Sequence, residues 1–288
     1  MKRKRVFIVL SAIVLIFVIS IIIRFVMAAA PIGQKVAVLD INGIITQSDS
    51  YIKLIHTYRD DPSIKALVVR INTPGGSVAP VQEIYTELKK LKKPIVASMG
   101  GSAASGGYYI ACAAKTIFAN PGTLTGSIGV IMQFTKMKGL YEKIGLEQRV
   151  IKSGEFKDSG SAFRDLSDQE RAILQSTVDD VYNQFVDTVY QSRQENLSKD
   201  EVVKLSDGRI FSGNQAHQHK LIDQLGNLPD AIKYAAKLAE IEGKPKVVRK
   251  QKKPSFLQQL LGFSPNTHIE DVLNLPGVTF RYELSLED

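Results

Sequence analysis

The chain has 288 residues, 44% of them hydrophobic, enough for one large α/β domain with appendages. Its net charge of +8 is divided between an N-terminal leader and a run over 244–253, neither interleaved with the aromatic residues that mark nucleic-acid binding, so no nucleic acid is expected as a partner. The single cysteine, Cys112, excludes an internal disulfide, and the four histidines (His56, His217, His219, His268) match no metal-ligand spacing; neither metal nor cofactor is expected.

Residues 1–5 (M-K-R-K-R) precede an uncharged run over 6–23. At 1.5 Å per residue this run is about 27 Å long, enough to cross a bilayer once. It is longer than the roughly 7–15 apolar residues of a secretory signal. The basic flank predicts a cytoplasmic N-terminus at 1–5, a single-pass transmembrane anchor over 6–28 and an extracytoplasmic remainder on the outer face of the cell membrane. Residues 27–30 (M-A-A-A) resemble a cleavage site, so a removed signal peptide is the alternative to an uncleaved anchor. A linker over 29–34, a domain over 35–243 and a basic linker and tail over 244–288 complete the expected organisation.

Within the domain, residues 36–41 (V-A-V-L-D-I) predict a strand that ends at the Asn42-Gly43 turn. A helix follows over 50–59, then a buried strand over 66–71 (A-L-V-V-R-I), a turn at N-T-P-G-G-S (72–77) and an amphipathic helix over 81–91. Residues 95–97 read as a short strand that empties into a cluster of Gly, Ala and Ser, with an apolar helix over 108–114 behind it. Strands are expected over 116–119, after 123–130 and over 147–151, with a helix over 136–144 between the last two. Residues 152–166 lack periodicity and predict a long loop. Ser167 and Glu170 form a capping box that starts a long helix, and shorter helices are expected over 199–205, 213–219 and 228–241. The tail, with apolar patches at 256–263 and 272–275, reads either as an arm packed on a neighbour or as partly disordered. Strands alternating with helices predict an α/β fold with largely parallel pairing.

Three turns leave the ends of predicted strands, at 72–77, 100–105 and 123–127, where catalytic groups of α/β proteins gather. Ser105 is the last hydroxyl before a helix and is followed by Gly106 and Gly107, so its side chain and the next backbone N–H sit at a helix N-terminus, where negative charge is favoured. That suits an acyl-transfer nucleophile beside an oxyanion donor, and the unobstructed N–H of Gly76 offers a second donor. A serine nucleophile needs a base, and no histidine falls in these turns. A Ser-His pair and a Ser-Lys pair both stay open, the latter requiring a neutral amine at a penalty of roughly 4.6 kcal/mol on the charged form. Lys157 stands apart from other lysines only by lying in the structureless loop and beside small residues.

The motifs A-A-S-G-G-Y-Y-I (103–110), N-T-P-G-G-S (72–77), L-T-G-S-I-G-V-I (124–131), S-G-E-F-K-D (153–158) and D-G-R-I-F-S-G (207–213) change this. Running in family order along the chain, behind an N-terminal anchor, they resemble the S49 family of serine peptidases, the signal peptide peptidase A type in its short single-domain form. The resemblance implies Ser105 as nucleophile, Lys157 as general base, Gly76 and Gly106 as the oxyanion hole and Ser127 as a hydroxyl that orients the lysine amine. It implies a ClpP/crotonase-like fold of repeated ββα units in the domain over 35–243. It further implies a homo-oligomeric ring in which one protomer's lysine completes its neighbour's serine site, and peptide substrates such as signal-peptide remnants at the membrane. Two rivals are an acyl-CoA enzyme of the crotonase type, which shares the oxyanion logic without a nucleophilic serine, and a non-catalytic ring scaffold.

Overall fold

The computed structural model describes residues 34–250, together with residues 15 and 17–20 and the backbone of Phe280–Glu283. The expected leader over 1–5, nearly all of the anchor over 6–28 and most of the linker and tail lie outside the described residues. Among those described, no helix is long and apolar enough to cross a membrane.

The strand periodicity of V-A-V-L-D-I sends Ala37, Leu39 and Ile41 to one side of β1 (Lys35–Asn42) and Val36 and Val38 to the other, and both sides are buried. Burial on two faces is what a parallel sheet sandwiched by helices requires. The chain continues through α1 (Asp49–Asp60), β2 (Ile64–Thr73), β3 (Gly75–Ser77), α2 (Val78–Lys89), β4 (Ile95–Ala104), α3 (Gly106–Ala111), β5 (Thr116–Ala119), β6 (Leu124–Gly126) and β7 (Ile131–Met132). There follow α4 (Lys138–Lys143), the long α5 (Asp168–Arg193), α6 (Lys199–Leu205), β8 (Ile210–Ser212), α7 (Gly213–Gln218), β9 (Gln224–Leu225), α8 (Leu228–Leu238), β10 (Lys246–Arg249) and β11 (Phe280–Glu283).

The main sheet runs β10-β1-β2-β4-β5-β9 with every neighbour parallel. Near the end of β4 a further strand, β6, pairs with it in parallel and with β8 antiparallel. Helix α8 covers one face, where Ala231, Ala235 and Ala236 meet Val36, Val38, Ala66, Val68, Val96 and Phe118. The other face is covered by α1, α2, α3 and α5 around Leu39, Ile41, Val69 and Ile71, with Ile55, Ile84, Leu88, Tyr108 and Phe185 fully or almost fully buried. Each such aliphatic or aromatic side chain contributes about 1.5–3 kcal/mol relative to exposure. A small second sheet, β3-β11-β7, lies at the mouth formed by the strand ends.

Several sequence expectations shift. The Gly/Ala/Ser cluster after residue 97 is strand, because β4 runs on to Ala104 and pairs with β2 and β6. Small side chains are needed there: a Cβ on Gly100 would lie 2.9 Å from Asn72 Oδ1. The strand expected over 147–151 does not form; Val150 and Ile151 are exposed, and no strand among the described residues lies alongside to supply partners. Lys246–Arg249, within the region expected to be linker, is instead the edge strand β10, with Arg249 paired to Asp40.

Candidate active site at the ends of β4 and β6

Two parallel strands end together. Ala104 on β4 is opposite Gly126 on β6, and the next residue of each, Ser105 and Ser127, turns with positive φ (53° and 49°). The turns are tied to each other and to the D-G-R segment. Ser105 N–H donates to Gly126 O at 2.8 Å, Ser127 N–H to Arg209 O at 2.8 Å, and Gly208 N–H to Ile128 O at 3.1 Å. Asp207 and Arg209 pair with each other, and that guanidinium holds the Asp207 carboxyl down at about 2. A non-glycine residue in this region costs about 1–3 kcal/mol, a strain that collects at functional sites.

Ser105 is 1% exposed, and its Oγ is the one buried side-chain polar atom among the described residues with no hydrogen-bond partner. Helix α3 starts immediately after it, and the first N–H groups of a helix have no acceptor of their own. Gly106 therefore brings a donor next to the hydroxyl. The helix is pinned from behind. Tyr108 OH donates to Leu221 O at 2.7 Å, and the Tyr109 ring packs edge-to-face with Tyr85 and tilted against Phe185, each centroid 5.1 Å away. Glycine at 107 lets α3 approach β2 closely, since a Cβ would meet Thr73 Cγ2 at 2.8 Å.

Gly76 lies on β3, which packs against α3. Its close approach to the preceding loop, where a Cβ would lie 2.1 Å from Ile45 O, leaves room only for glycine. Ser77 N–H donates to that same oxygen at 2.8 Å. Strand β11 runs antiparallel along β3, with Tyr282 opposite Gly76, and antiparallel along β7 on its other side. An extended chain thus occupies the groove beside the glycine strand. The sequence reads the tail as an arm on a neighbour or as partly disordered, whereas residues 280–283 pair within the same chain, and no motif in the tail signals this pairing.

Lys157 is exposed on the excursion between β7 and α5 and makes no hydrogen bond to Ser105 Oγ within the single chain. The residue after it is held firmly. Arg164 takes Asp158 in a two-point contact (Nε to Oδ2 3.0 Å, Nη2 to Oδ1 2.7 Å) and reaches Glu170 Oε2 at 2.8 Å. Lys152 Nζ adds 2.6 Å to Asp158 Oδ1, and Ser159 Oγ donates to Glu170 at 2.8 Å. The Arg164 guanidinium holds both carboxyls well below the usual carboxylate range. The sequence marked Glu170 only as half of a capping box, which it also forms; no spacing rule links 158, 164 and 170 across a loop. Beside Ser127 opens a cleft of about 490 Å³ with the Asp179 and Asp207 carboxylates on its wall.

Residues 87–242 match the model of peptidase family S49, and residues 39–124 that of Clp protease. With its mixed sheet and helices on both faces, the fold is ClpP-like. The chain is 45% identical over 213 residues to a chain named as a protease in Synechocystis sp., covering 73% of this chain and 76% of that one. It is 33% identical over 246 residues to one named as a signal peptide peptidase, SppA, in Enterococcus faecium, covering 80% and 71%. Over 228 residues it is 34% identical to the chloroplastic serine protease SPPA of Arabidopsis thaliana, covering 78% of this chain and 33% of that longer protein.

Proposed function

This chain belongs to peptidase family S49 and is a serine peptidase, and from that premise we propose a membrane-anchored endopeptidase in which Ser105 is the nucleophile and Lys157 the base. The observation that carries the reading is the Ser105 hydroxyl: buried, on strained backbone, and without a partner. In a structural serine of a core, such an atom costs about 1–3 kcal/mol and is normally bonded.

The neutral amine of Lys157 takes the Ser105 proton as Oγ attacks the peptide carbonyl. The N–H groups of Gly76 and Gly106 hold the oxyanion, each donor worth about 3–4 kcal/mol. The lysine ammonium protonates the leaving amine, and water, deprotonated by the same amine, releases the acyl group and restores the hydroxyl. Ser127 orients the amine. Strand β11 supports an extended peptide as substrate, since the groove along β3 already receives one as an antiparallel strand.

Lys157 comes from a neighbouring copy in this reading. Two observations support that: Ser105 Oγ has no partner in the single chain, and the excursion exposes Leu140, Ile144, Leu146, Val150, Ile151 and Phe156 together. The cleft beside Ser127 is the entry for the neighbour's side chain, and the Asp179 carboxylate on its wall, which no described cation pairs, favours a cation on the way in. The same interface, repeated, closes a ring. The uncharged run over 6–23 behind a basic leader supports the anchor and an extracytoplasmic domain, with signal-peptide remnants as the nearest substrates.

Ser105→Ala and Lys157→Ala are each expected to abolish cleavage of a fluorogenic peptide while leaving the oligomer intact, and a serine-directed phosphonate should label wild type at Ser105. Robust cleavage by either variant would remove the proposal.

A further inference from the structure

At the edge of the sheet opposite the site, five neighbouring parallel strands are each entered through lysine. In sheet order these are Lys246 on β10, Lys35 on β1, Lys65 on β2, Lys92 and Lys93 ahead of β4, and Lys115 ahead of β5. Lys35 and Lys246 are directly paired in register. With strands about 4.8 Å apart, the row is about 19 Å wide. Lys89, at the end of α2, adds to it.

The carboxylates at this edge are mostly engaged. Asp60 pairs with Arg59, Glu87 with Lys90 and His56, Asp223 with Arg193, and Asp61 accepts from Ser63. Glu240 and Glu242 remain. Among the described residues, Lys35, Lys65, Lys89, Lys92, Lys115 and Lys246 have no ion pair. Between Lys89, Lys92, Lys93 and Lys115 lies a cleft of about 320 Å³ with Leu91 and Leu238 in its wall. Lys93 is committed to the carbonyls of Tyr58 and Asp61 (2.6 and 2.7 Å), whereas the other three lysines are exposed.

We propose that this edge is the face on which the domain rests against an anionic bilayer, with the lysine-bordered cleft receiving a lipid phosphodiester. The inference rests on the anchor reading. The chain enters β1 at Lys35, on this same edge, and only residues 24–34 separate it from the uncharged run, a reach of no more than about 40 Å. Lysines held near the surface of anionic lipid are attracted over about a Debye length, roughly 8–10 Å. The orientation turns Ser105 away from the lipid, so a signal-peptide remnant leaves the bilayer before it is cut.

The test is lysine acetylation, read by mass spectrometry, on the full chain in phosphatidylcholine vesicles with and without about one third phosphatidylglycerol. We expect Lys65, Lys89, Lys92 and Lys115 to be modified about fivefold less with the anionic lipid, with protection lost in high salt, while Lys138 and Lys143 on the excursion are unchanged. A Lys89→Gln, Lys92→Gln, Lys115→Gln variant should lose protection at Lys65 and keep wild-type cleavage of a soluble peptide. Equal modification in both vesicle types by an anchored, active chain overturns the inference alone. Protection by inorganic phosphate in detergent without any lipid effect overturns it in favour of a free-anion site. A chain that associates with neither vesicle removes the anchor reading and this inference together.

Discussion

Replacing Ser105 by glycine should make the protein more stable as it destroys activity. The backbone at Ser105 (φ 53°, ψ −115°) is one that glycine adopts freely and an L-residue does not. Strain of this kind costs about 1–3 kcal/mol, and glycine's extra unfolded-state entropy returns about 0.5–1 kcal/mol, a net gain near 1 kcal/mol. Alanine is the control. It deletes the hydroxyl but keeps the strained Cβ, so the step from alanine to glycine isolates the backbone contribution whether or not a lysine approaches Oγ in the assembled particle. Thermal midpoints of wild type, Ser105→Ala and Ser105→Gly, measured on the full chain in one detergent, should place glycine above alanine by about 2–4 °C. A glycine variant no more stable than the alanine variant would show that the residue is not strained, and the argument from strain to nucleophile would collapse.

Four further outcomes follow from the same geometry. Co-expressing Ser105→Ala and Lys157→Ala chains in equal amounts should restore about one quarter of the wild-type sites if each site joins neighbouring copies, whereas a pair closed within one chain leaves the mixture as inactive as its parents. Gly76→Ala forces a Cβ to within 2.1 Å of Ile45 O, so β3 must move; kcat is expected to fall about 10²–10³-fold, and a kcat near wild type would exclude that strand from the proposed oxyanion hole. The Asp158 and Glu170 carboxyls are depressed by Arg164, so their contribution is complete above the unfolded value of about 4 and is lost as pH falls through the folded values. Hydrogen exchange over 152–166, corrected for intrinsic rate, should therefore loosen below about pH 4 in wild type and already be loose at neutrality in Arg164→Gln; identical profiles would refute the clasp. Burial pushes the Cys112 thiol up to about 11, so iodoacetamide should label it only after denaturation, and fast labelling of the native chain would contradict the packing of α3.

The central strands were legible because strands buried on both faces leave continuous apolar runs, as in A-L-V-V-R-I, and the α5 start because Ser167 and Glu170 satisfy each other locally. The turn at Ser105 could be read as a strand-to-helix junction, yet not as a strained one, since strain comes from β6 ending in register alongside β4. Periodicity also failed where pairing decides. Residues 147–151 carry strand-like side chains but no strand lies alongside, while β10 and β11 carry weak patterns and become strands because β1 and β3 present edges to them. Charge contacts such as Asp158 with Arg164 close through the loop's path, which no local spacing encodes.

The division of the proposed site between rigid and projecting parts has a chemical consequence. Ser105, Ser127 and Gly76 are set by sheet pairing and would be in place in any folded copy. Lys157 projects from an excursion that the Arg164 clasp shapes but that no sheet strand holds. Under the proposed arrangement an isolated copy therefore carries a prepared hydroxyl with no base to deprotonate it, and hydrolysis begins only when a second copy covers the exposed apolar side chains of the excursion. Burial of that surface then supplies both the association energy and the dry surroundings in which a lysine amine gives up its charge. Activity should accordingly rise with protein concentration more steeply than in proportion to it, and levelling should coincide with completion of assembly measured by light scattering.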